Sequence, residues 1–319
     1  LNLGLEFRLL NRITGTIEWY TRKTSDLLLE HPMAVSLGFP SYYANVGSMV
    51  NRGWDITIGG DVISTKDWRW NITLMASTLT NRVKQLTDNG EDIVSGNYLI
   101  REGEELNTFY LAKSAGVDPA TGDQLYWAYQ KDKSGNRIPG SDYVTNDATV
   151  ATGCKYLMGS RIPDVYGSIS TSLSFRDFDL SVLMTYSVGG KIYDGVYRSL
   201  MEPTFVGQAY HRNALRGWTT PGEITDVPKV TTTLTTLASD RFLVDASYFA
   251  FKNISLGYRL PAKLLTKAGI ETLRIYVSAD SPWIFTHLQG MNPQASFSGS
   301  TSYTYTPNRT LTLGVDLKF

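Results

Sequence analysis

Residues 307–319 constrain the fold of this chain most strongly, because their sequence, PNRTLTLGVDLKF, alternates between apolar and polar side chains. Successive side chains of a β-strand point to opposite faces of a sheet, so this stretch predicts a strand with one apolar and one polar face. The apolar positions are Leu311, Leu313, Val315, Leu317 and Phe319. Both an ordinary half-buried edge strand and the closing strand of a membrane-spanning β-barrel have this pattern, and the remainder of the chain decides between them.

The composition excludes some classes of protein and favours others. The 319 residues include 30 basic and 30 acidic side chains, which leaves no positive excess to neutralise the phosphates of a nucleic acid. Aromatic side chains are abundant, with 19 Tyr, 7 Trp and 12 Phe, which is typical of barrels with interfacial girdles and also of carbohydrate-binding sandwiches. No apolar run reaches the roughly 18 residues of a membrane-spanning helix, whereas barrel strands alternate and need no such run.

Eight further segments alternate in the same way, so the sequence predicts about nine strands. They lie near 1–10, 13–28, 51–62, 68–77, 165–175, 178–186, 247–260 and 273–277. Short connections are predicted at Asn11, Thr65, Arg176 and 261–269, and long ones begin near Leu29, Arg82, Ser187 and Ser281. Strict alternation of short and long connections is typical of an up-and-down transmembrane barrel with tight periplasmic turns and long extracellular loops.

An odd number of strands indicates an incomplete barrel. Bacterial single-chain barrels close with an even number of strands, and an open sheet edge in lipid leaves backbone groups without hydrogen bonds. We therefore expect further strands, and the signal peptide of an exported protein, upstream of Leu1. A soluble, aromatic-rich β-sandwich that binds glycans is the alternative from a different class.

Several segments, in order, resemble the C-terminal part of SusC/RagA-type TonB-dependent outer-membrane transporters. They are NVGSMVNRGWD at 45–55, DPATGDQLY at 118–126, RIPDVYG at 161–167, SYFAFKNISLGYRLP at 247–261, and the terminal LGVDLKF. The family usually has Arg and Leu where this chain has Ala250 and Phe251, which is a mild departure. The matches extend over nearly the whole chain.

The resemblance implies an all-β fold, in which residues 1–319 form the last nine antiparallel strands of a 22-stranded transmembrane barrel with long extracellular loops. The plug domain and the N-terminal strands would lie outside this chain. The implied function is active import of a glycan or peptide nutrient through the outer membrane of a Gram-negative, Bacteroidetes-like bacterium. A TonB-dependent receptor for siderophores or cobalamin is the alternative within the same class.

The implied partners are a SusD-like surface lipoprotein that acts as a lid, and the TonB–ExbB–ExbD system, which would act through the missing N-terminal part. The barrel-assembly machinery and outer-membrane lipid are further partners. The terminal aromatic residue, Phe319, resembles the signal that this machinery recognises. Neither an enzymatic activity nor a cofactor is implied.

The residues themselves offer no nucleophilic or metal-binding constellation, since the three histidines fall in three separate loops. Aromatic side chains in the long connections are the better functional candidates: Tyr126, Trp127, Tyr129, Tyr193, Tyr197 and Trp218. They could stack on sugar rings or pack against the lid. The alternative, that they only hold the long loops together, is favoured.

The alternation also predicts which side chains face lipid. On the fourth strand these are Trp68, Trp70, Ile72 and Leu74, while Arg69, Asn71 and Thr73 would face the lumen. On the seventh strand the apolar parity changes between Phe251 and Ile254. One extra residue near Lys252–Asn253 would restore a continuous apolar face, so a β-bulge is predicted there.

Overall fold

The computed structural model describes the chain except for residues 34–35, 37, 40, 46, 87–89, 107, 203–206, 232–235, 266–268, 289–291, 296–298, 302 and 304. Its largest element is one antiparallel sheet whose nine main strands follow one another in sequence order. These strands are β1 (Asn2–Leu9), β2 (Ile13–Ser25), β3 (Ser48–Ser64), β4 (Trp68–Ser77), β5 (Val165–Phe175), β6 (Phe178–Val188), β7 (Tyr248–Arg259), β8 (Thr272–Thr286) and β9 (Thr310–Lys318). A tenth strand, Thr80–Gln85, continues beyond β4 and pairs with β3.

Short connections join the strands at one end of the sheet and long ones at the other. The turn after β5 has only two residues, of which Arg176 adopts φ 50°, and the turn after β1 places Leu10 and Asn11 at φ 50° and 53°. The long connections, which we call the first to the fourth, comprise 26–47, 78–164, 189–247 and 287–309. This confirms the predicted alternation of short and long connections.

The strand register collects the apolar side chains on one face of the sheet. Leu74 lies opposite Ile169, which lies opposite Met184 on the next strand, and Val277 lies opposite Leu313. The other face carries small and polar residues, such as Ser170 opposite Thr73. Side chains on the apolar face, such as Leu74, Leu256 and Leu313, are exposed, so no second sheet packs on them in the described part of the chain and the fold is not a β-sandwich.

Aromatic side chains form two belts on the apolar face. Near the short turns, Trp68 packs on Phe175 with ring centroids 4.1 Å apart, and Phe178 packs on Tyr258 at 4.6 Å. Near the long connections the belt consists of Trp19, Trp54, Tyr186, Phe249, Phe251, Trp283 and Phe285. From Phe178 to Tyr186 the strand rises about 27 Å, or about 20 Å along the membrane normal at the tilt of barrel strands. That height is close to the roughly 25 Å apolar band of outer-membrane barrels.

The bulge predicted near Lys252 is present. Phe251 pairs with Met184 and Asn253 with Leu183, so Lys252 is an extra residue in β7. The bulge keeps the aromatic and aliphatic side chains of β7 on the apolar face. Its Lys252 ammonium donates a hydrogen bond to Gln294, which in turn donates to Thr185 on the polar face, so the charge is kept away from the apolar face.

Where the structure describes them, the long connections contain strands and helices of their own, and together we call these connections the loop layer. Its strands are Leu28–Pro32, Ser41–Asn45, Thr80–Gln85, Ile93–Ser95, Tyr98–Ile100, Thr108–Leu111, Lys113–Val117, Gln124–Ala128, Tyr143–Thr145, Tyr156–Ser160, Lys191–Tyr193 and Leu243–Asp245. Its helices are α1 (Ala148–Thr152) and α2 (Gly195–Met201), with 3₁₀ turns at Arg212–Arg216, Asp240–Phe242 and Pro293–Ala295. The main apolar cluster consists of Phe109, Leu111, Tyr193, Met201, Val227 and Phe242.

One connection begins later than the sequence predicts. The sequence places the start of the fourth long connection near Ser281, but β8 continues to Thr286 with Ser281 at φ 49° opposite the β7 bulge. The short connection predicted at 261–269 contains a helical turn, α3 (Ala262–Leu265), and residues 266–268 lie outside the described residues. None of the described helices has the length and apolar character needed to cross a membrane.

Candidate functional site

The polar face of the sheet ends, toward the loop layer, in a cavity of about 540 Å³. Its floor consists of Tyr166, Ser187 and Tyr248, which pair with one another across β5, β6 and β7 on the polar parity. Its walls come from three of the long connections and consist of Leu79, Asn81, Leu106, Arg161, Ile162, Pro163, Gly189, Lys191, Ile192, Ala246, Pro293 and Gln294. A cavity of this size, apolar with a few polar groups, is typical of a small-ligand site.

The charges in the cavity are positive. Arg161 and Lys191 line it, and none of the described lining side chains is acidic. Burial lowers the pKa of the Arg161 guanidinium, and Tyr98 opposes this shift. Its aliphatic stem runs beside Gly299, where a Cβ would come within 2.7 Å of the Arg161 Cδ atom.

The amide side chains in the same cavity are already engaged. Asn81 donates to Asn51 Oδ1 at 2.6 Å, and its own oxygen accepts from the Leu106 N–H at 2.9 Å. Gln294 binds Lys252 and Thr185 as described above. Arg161 and Lys191 are the charged side chains among the described residues that line this cavity.

A second cavity, of about 410 Å³, adjoins the first and has a different charge pattern. Ile162 and Lys191 line both cavities. The second one adds the carboxylates of Glu104, Glu105 and Asp164 and the guanidinium of Arg82. Acidic and basic regions thus lie side by side, and the residues that line the second cavity all belong to the loop layer.

Three of the six aromatic candidates are buried in the loop layer. Tyr126 is 1% exposed, and its hydroxyl accepts a hydrogen bond from the Leu237 N–H at 2.8 Å. Tyr129 donates its hydroxyl to the Lys155 carbonyl at 3.1 Å, and Tyr193 lies in the main apolar cluster. Burial raises the pKa of both Tyr129 and Tyr193 to about 12. Buried rings of this kind hold loops together and present no face to a ligand.

The other three aromatic candidates are half-buried. Trp127 has the Lys113 ammonium 5.7 Å from its ring. Tyr197 accepts a hydrogen bond from the Asn213 amide at 2.8 Å, and Trp218 donates from Nε1 to the Pro119 carbonyl at 2.9 Å. None of the six lines either cavity. Contact of these rings with a ligand or a lid stays a prediction.

Phe319 follows β9 and is 83% exposed at the short-turn end, and its role as an assembly signal likewise stays a prediction. Sequence reasoning missed the cations of the first cavity. Arg161 opens the RIPDVYG segment, and Lys191 follows the Gly189–Gly190 pair, but no periodicity marks either residue. Among the described residues, no three His, Cys, Asp or Glu side chains are placed to hold a metal ion.

The chain is similar to known proteins along its whole length. The TonB-dependent receptor P3 of Formosa agariphila is 29% identical over 343 residues, and the TonB-dependent receptor SusC of Bacteroides thetaiotaomicron is 28% identical over 330 residues. Both alignments cover 100% of this chain but 34% and 31% of the relatives, so the chain spans about a third of the length of the curated relatives that it matches. No family model matches the chain.

Solved structures agree with this result. The RagAB peptide importer in its closed-closed state superposes with a TM-score of 0.85 at 26% identity, covering 100% of this chain and 35% of that chain. Its open-open state gives a TM-score of 0.80. The similarity to SusC/RagA-type TonB-dependent receptors and the fold, part of such a barrel, are both confirmed.

Proposed function

We propose that this chain, a relative of the SusC/RagA-type receptors, is the C-terminal portion of an outer-membrane barrel that actively imports a nutrient. The plug domain and remaining strands belong to the rest of the protein. The observation that carries this proposal is the two-faced sheet, with its apolar face bounded by aromatic belts and its polar face leading to a cavity beneath the loop layer. Such a sheet suits lipid on one side and an aqueous lumen on the other.

The proposed imported nutrient is an oligosaccharide or a peptide. TonB–ExbB–ExbD would supply the energy through the plug, and a SusD-like surface lipoprotein would cover the loop layer. The long connections lie together at one end of the sheet, which is the end where such a lid would dock. Relatives named SusC and RagAB support this arrangement, the latter described as a peptide importer.

Two measurements on the complete protein test the proposal. The protein should fractionate with the outer membrane and need detergent for extraction, and recovery in the aqueous fraction would contradict the membrane assignment. Cells that carry it should take up labelled peptide or oligosaccharide pools only while the proton gradient is intact. Uptake that is unchanged by deletion of the gene, or that continues with a protonophore present, would contradict active import.

A further inference from the structure

We propose that the cavity lined by Arg161 and Lys191 binds a carboxylate group of the imported ligand. This inference rests on the proposed import function and adds the chemistry that the cavity selects. Both cations line one cavity of about 540 Å³, together with apolar side chains from the second, third and fourth long connections.

The described residues that line the cavity give it an excess of positive charge. A carboxylate that leaves water needs a charged or multiple hydrogen-bonding partner, because burial of an unpaired anion is costly. Arg161 offers a planar fork of N–H groups, and Lys191 offers a compact ammonium. None of the described residues that line this cavity is acidic. A ligand carboxylate would therefore make charge-assisted hydrogen bonds that water and neutral groups do not match.

The surroundings of Lys191 also favour binding of a ligand carboxylate. Its ammonium makes no ion pair or side-chain hydrogen bond among the described residues. Four acidic residues in this neighbourhood do not line the cavity: Asp245, which pairs with Lys191 through the backbone, and Asp164, Glu104 and Glu105 of the adjoining cavity. Asp245 accepts a hydrogen bond from the Ser247 N–H at 2.7 Å. Hydrogen bonding to the Ser247 side chain is the main cause that lowers the pKa of the Asp245 carboxyl, and the Lys191 charge contributes to the same shift. Lys191 is thus close enough to Asp245 to lower its pKa, but it forms no direct ion pair with a carboxylate of the described residues.

The position of the cavity in the fold also suits a ligand-binding site. The floor of the cavity is the polar face of β5, β6 and β7, which is the face that would line the lumen. The apolar walls, with Leu79, Leu106, Ile162 and Ile192, would enclose the chain next to the carboxylate and exclude water from the ion pair. Exclusion of water strengthens the interaction between the charges. The cavity therefore selects a ligand with an acidic end attached to a partly apolar body.

The test uses the complete protein, purified in detergent, and four defined probes. The first two are an alanine-rich tetrapeptide with a free C-terminal carboxylate and the same peptide with a C-terminal amide. The other two are an oligogalacturonate and a neutral oligosaccharide of equal length. Calorimetry or native mass spectrometry measures the affinity for each. Binding of the free acid peptide but not the amide identifies a peptide terminus, and binding of the uronate but not the neutral sugar identifies an acidic glycan.

The variants show where the carboxylate binds. Lys191→Met should lower the affinity for the carboxylated probe at least tenfold and remove most of the salt dependence of binding. Arg161→Lys keeps the charge but loses the planar fork of N–H groups, so it should lower the affinity less. Lys133→Met removes a cation from an exposed part of the loop layer and should have no effect. Circular dichroism and heat-modifiable migration must match the wild type for each variant, and Arg161→Lys replaces Lys191→Met as the decisive variant should the latter fail to fold.

Failure of the site and failure of the import function give different results. Carboxylated probes that bind no better than their neutral counterparts, or that bind Lys191→Met as tightly as the wild type, overturn the site while leaving import untouched. If the probes bind at Lys191 but deletion of the gene leaves uptake unchanged, the carboxylate site is supported and the import function is contradicted.

Discussion

Large apolar side chains are exposed on one face of the nine-stranded sheet but buried in the loop layer. On β9, Leu311 and Leu313 are 77% and 73% exposed, whereas Phe109 in the loop layer is 0% exposed. Of the buried hydrophobic side chains in the described part of the chain, only Ala250 lies on the nine main strands. The sheet therefore has no core of its own and needs lipid on its apolar face. The loop layer has the packed interior of a water-soluble protein.

This contrast also explains how the two regions are encoded. A strand with lipid on one side and water on the other has to alternate, so its sequence shows the period of two. A short strand buried on both faces has no need to alternate, and Thr108–Leu111, with sequence TFYL, is an example. The comparison leads to four predictions, ordered from the largest expected effect to the smallest.

The largest effect is expected in the core of the loop layer. Phe109→Ala should destabilise the layer by about 3–5 kcal/mol, since truncation of a buried aromatic side chain removes apolar burial and leaves a cavity. Urea titration of the complete protein in detergent, followed by protease cleavage within 78–164, measures this loss. Leu313→Ala on the apolar face is the matched control and should change little in detergent, which contacts that face. An equal loss in both variants would remove the distinction between the two regions.

The second prediction concerns the two faces of β4. Leu74→Arg should cost about 2–4 kcal/mol in lipid vesicles, because it places a charge near the bilayer midplane, and Thr73→Arg should cost much less. The structure pairs Leu74 with Ile58 and Ile169, and Thr73 with Gly59 and Ser170, as these facings require. Urea unfolding of the complete protein in vesicles compares the two variants. Equal destabilisation would show that the apolar face is not in lipid.

Much of the sheet could be predicted from the sequence because each strand carries its own evidence of alternation. Even the bulge at Lys252 was visible, since Phe251 and Ile254 both had to reach the apolar face. The loop layer could not be predicted, because its pairings join distant segments, as Thr108–Leu111 does with Tyr156–Ser160. The cavity was missed for the same reason, since Arg161, Lys191 and Gln294 come from three different connections.

The third prediction tests a buried hydroxyl in the loop layer. Tyr126→Phe should cost about 1–3 kcal/mol, because it leaves the Leu237 N–H without its acceptor in a dry environment. The volume of the ring is kept, so a loss of this size reports the hydrogen bond. Urea unfolding of the loop layer measures it. Tyr143→Phe, at an exposed position, is the control and should be neutral. A neutral Tyr126→Phe would show that water reaches Leu237.

The smallest effect is expected for a polar pair on the apolar face of the sheet. Thr171 is a polar residue among the side chains of that face, and the structure shows how it is accommodated. Its hydroxyl donates to the Asn71 carbonyl at 3.2 Å and accepts from the Trp70 Nε1–H at 2.9 Å. Thr171→Val should therefore destabilise the protein in vesicles by about 0.5–1.5 kcal/mol, although it makes the face more apolar, because the indole N–H loses its acceptor.

A double-mutant cycle separates this hydrogen bond from changes in packing. In Trp70→Phe the donor is absent, so adding Thr171→Val should cost less than it does in the wild type, and the difference between the two costs is the coupling energy. Urea unfolding of all four proteins in the same vesicles measures it. The coupling should persist in lipid, where no water replaces the lost acceptor, and should shrink in a detergent that admits water to the face. If Thr171→Val stabilises the wild type in vesicles, the indole N–H already has another acceptor at the headgroup level, and Trp70 belongs to the aromatic belt of the short-turn end rather than to the aliphatic band.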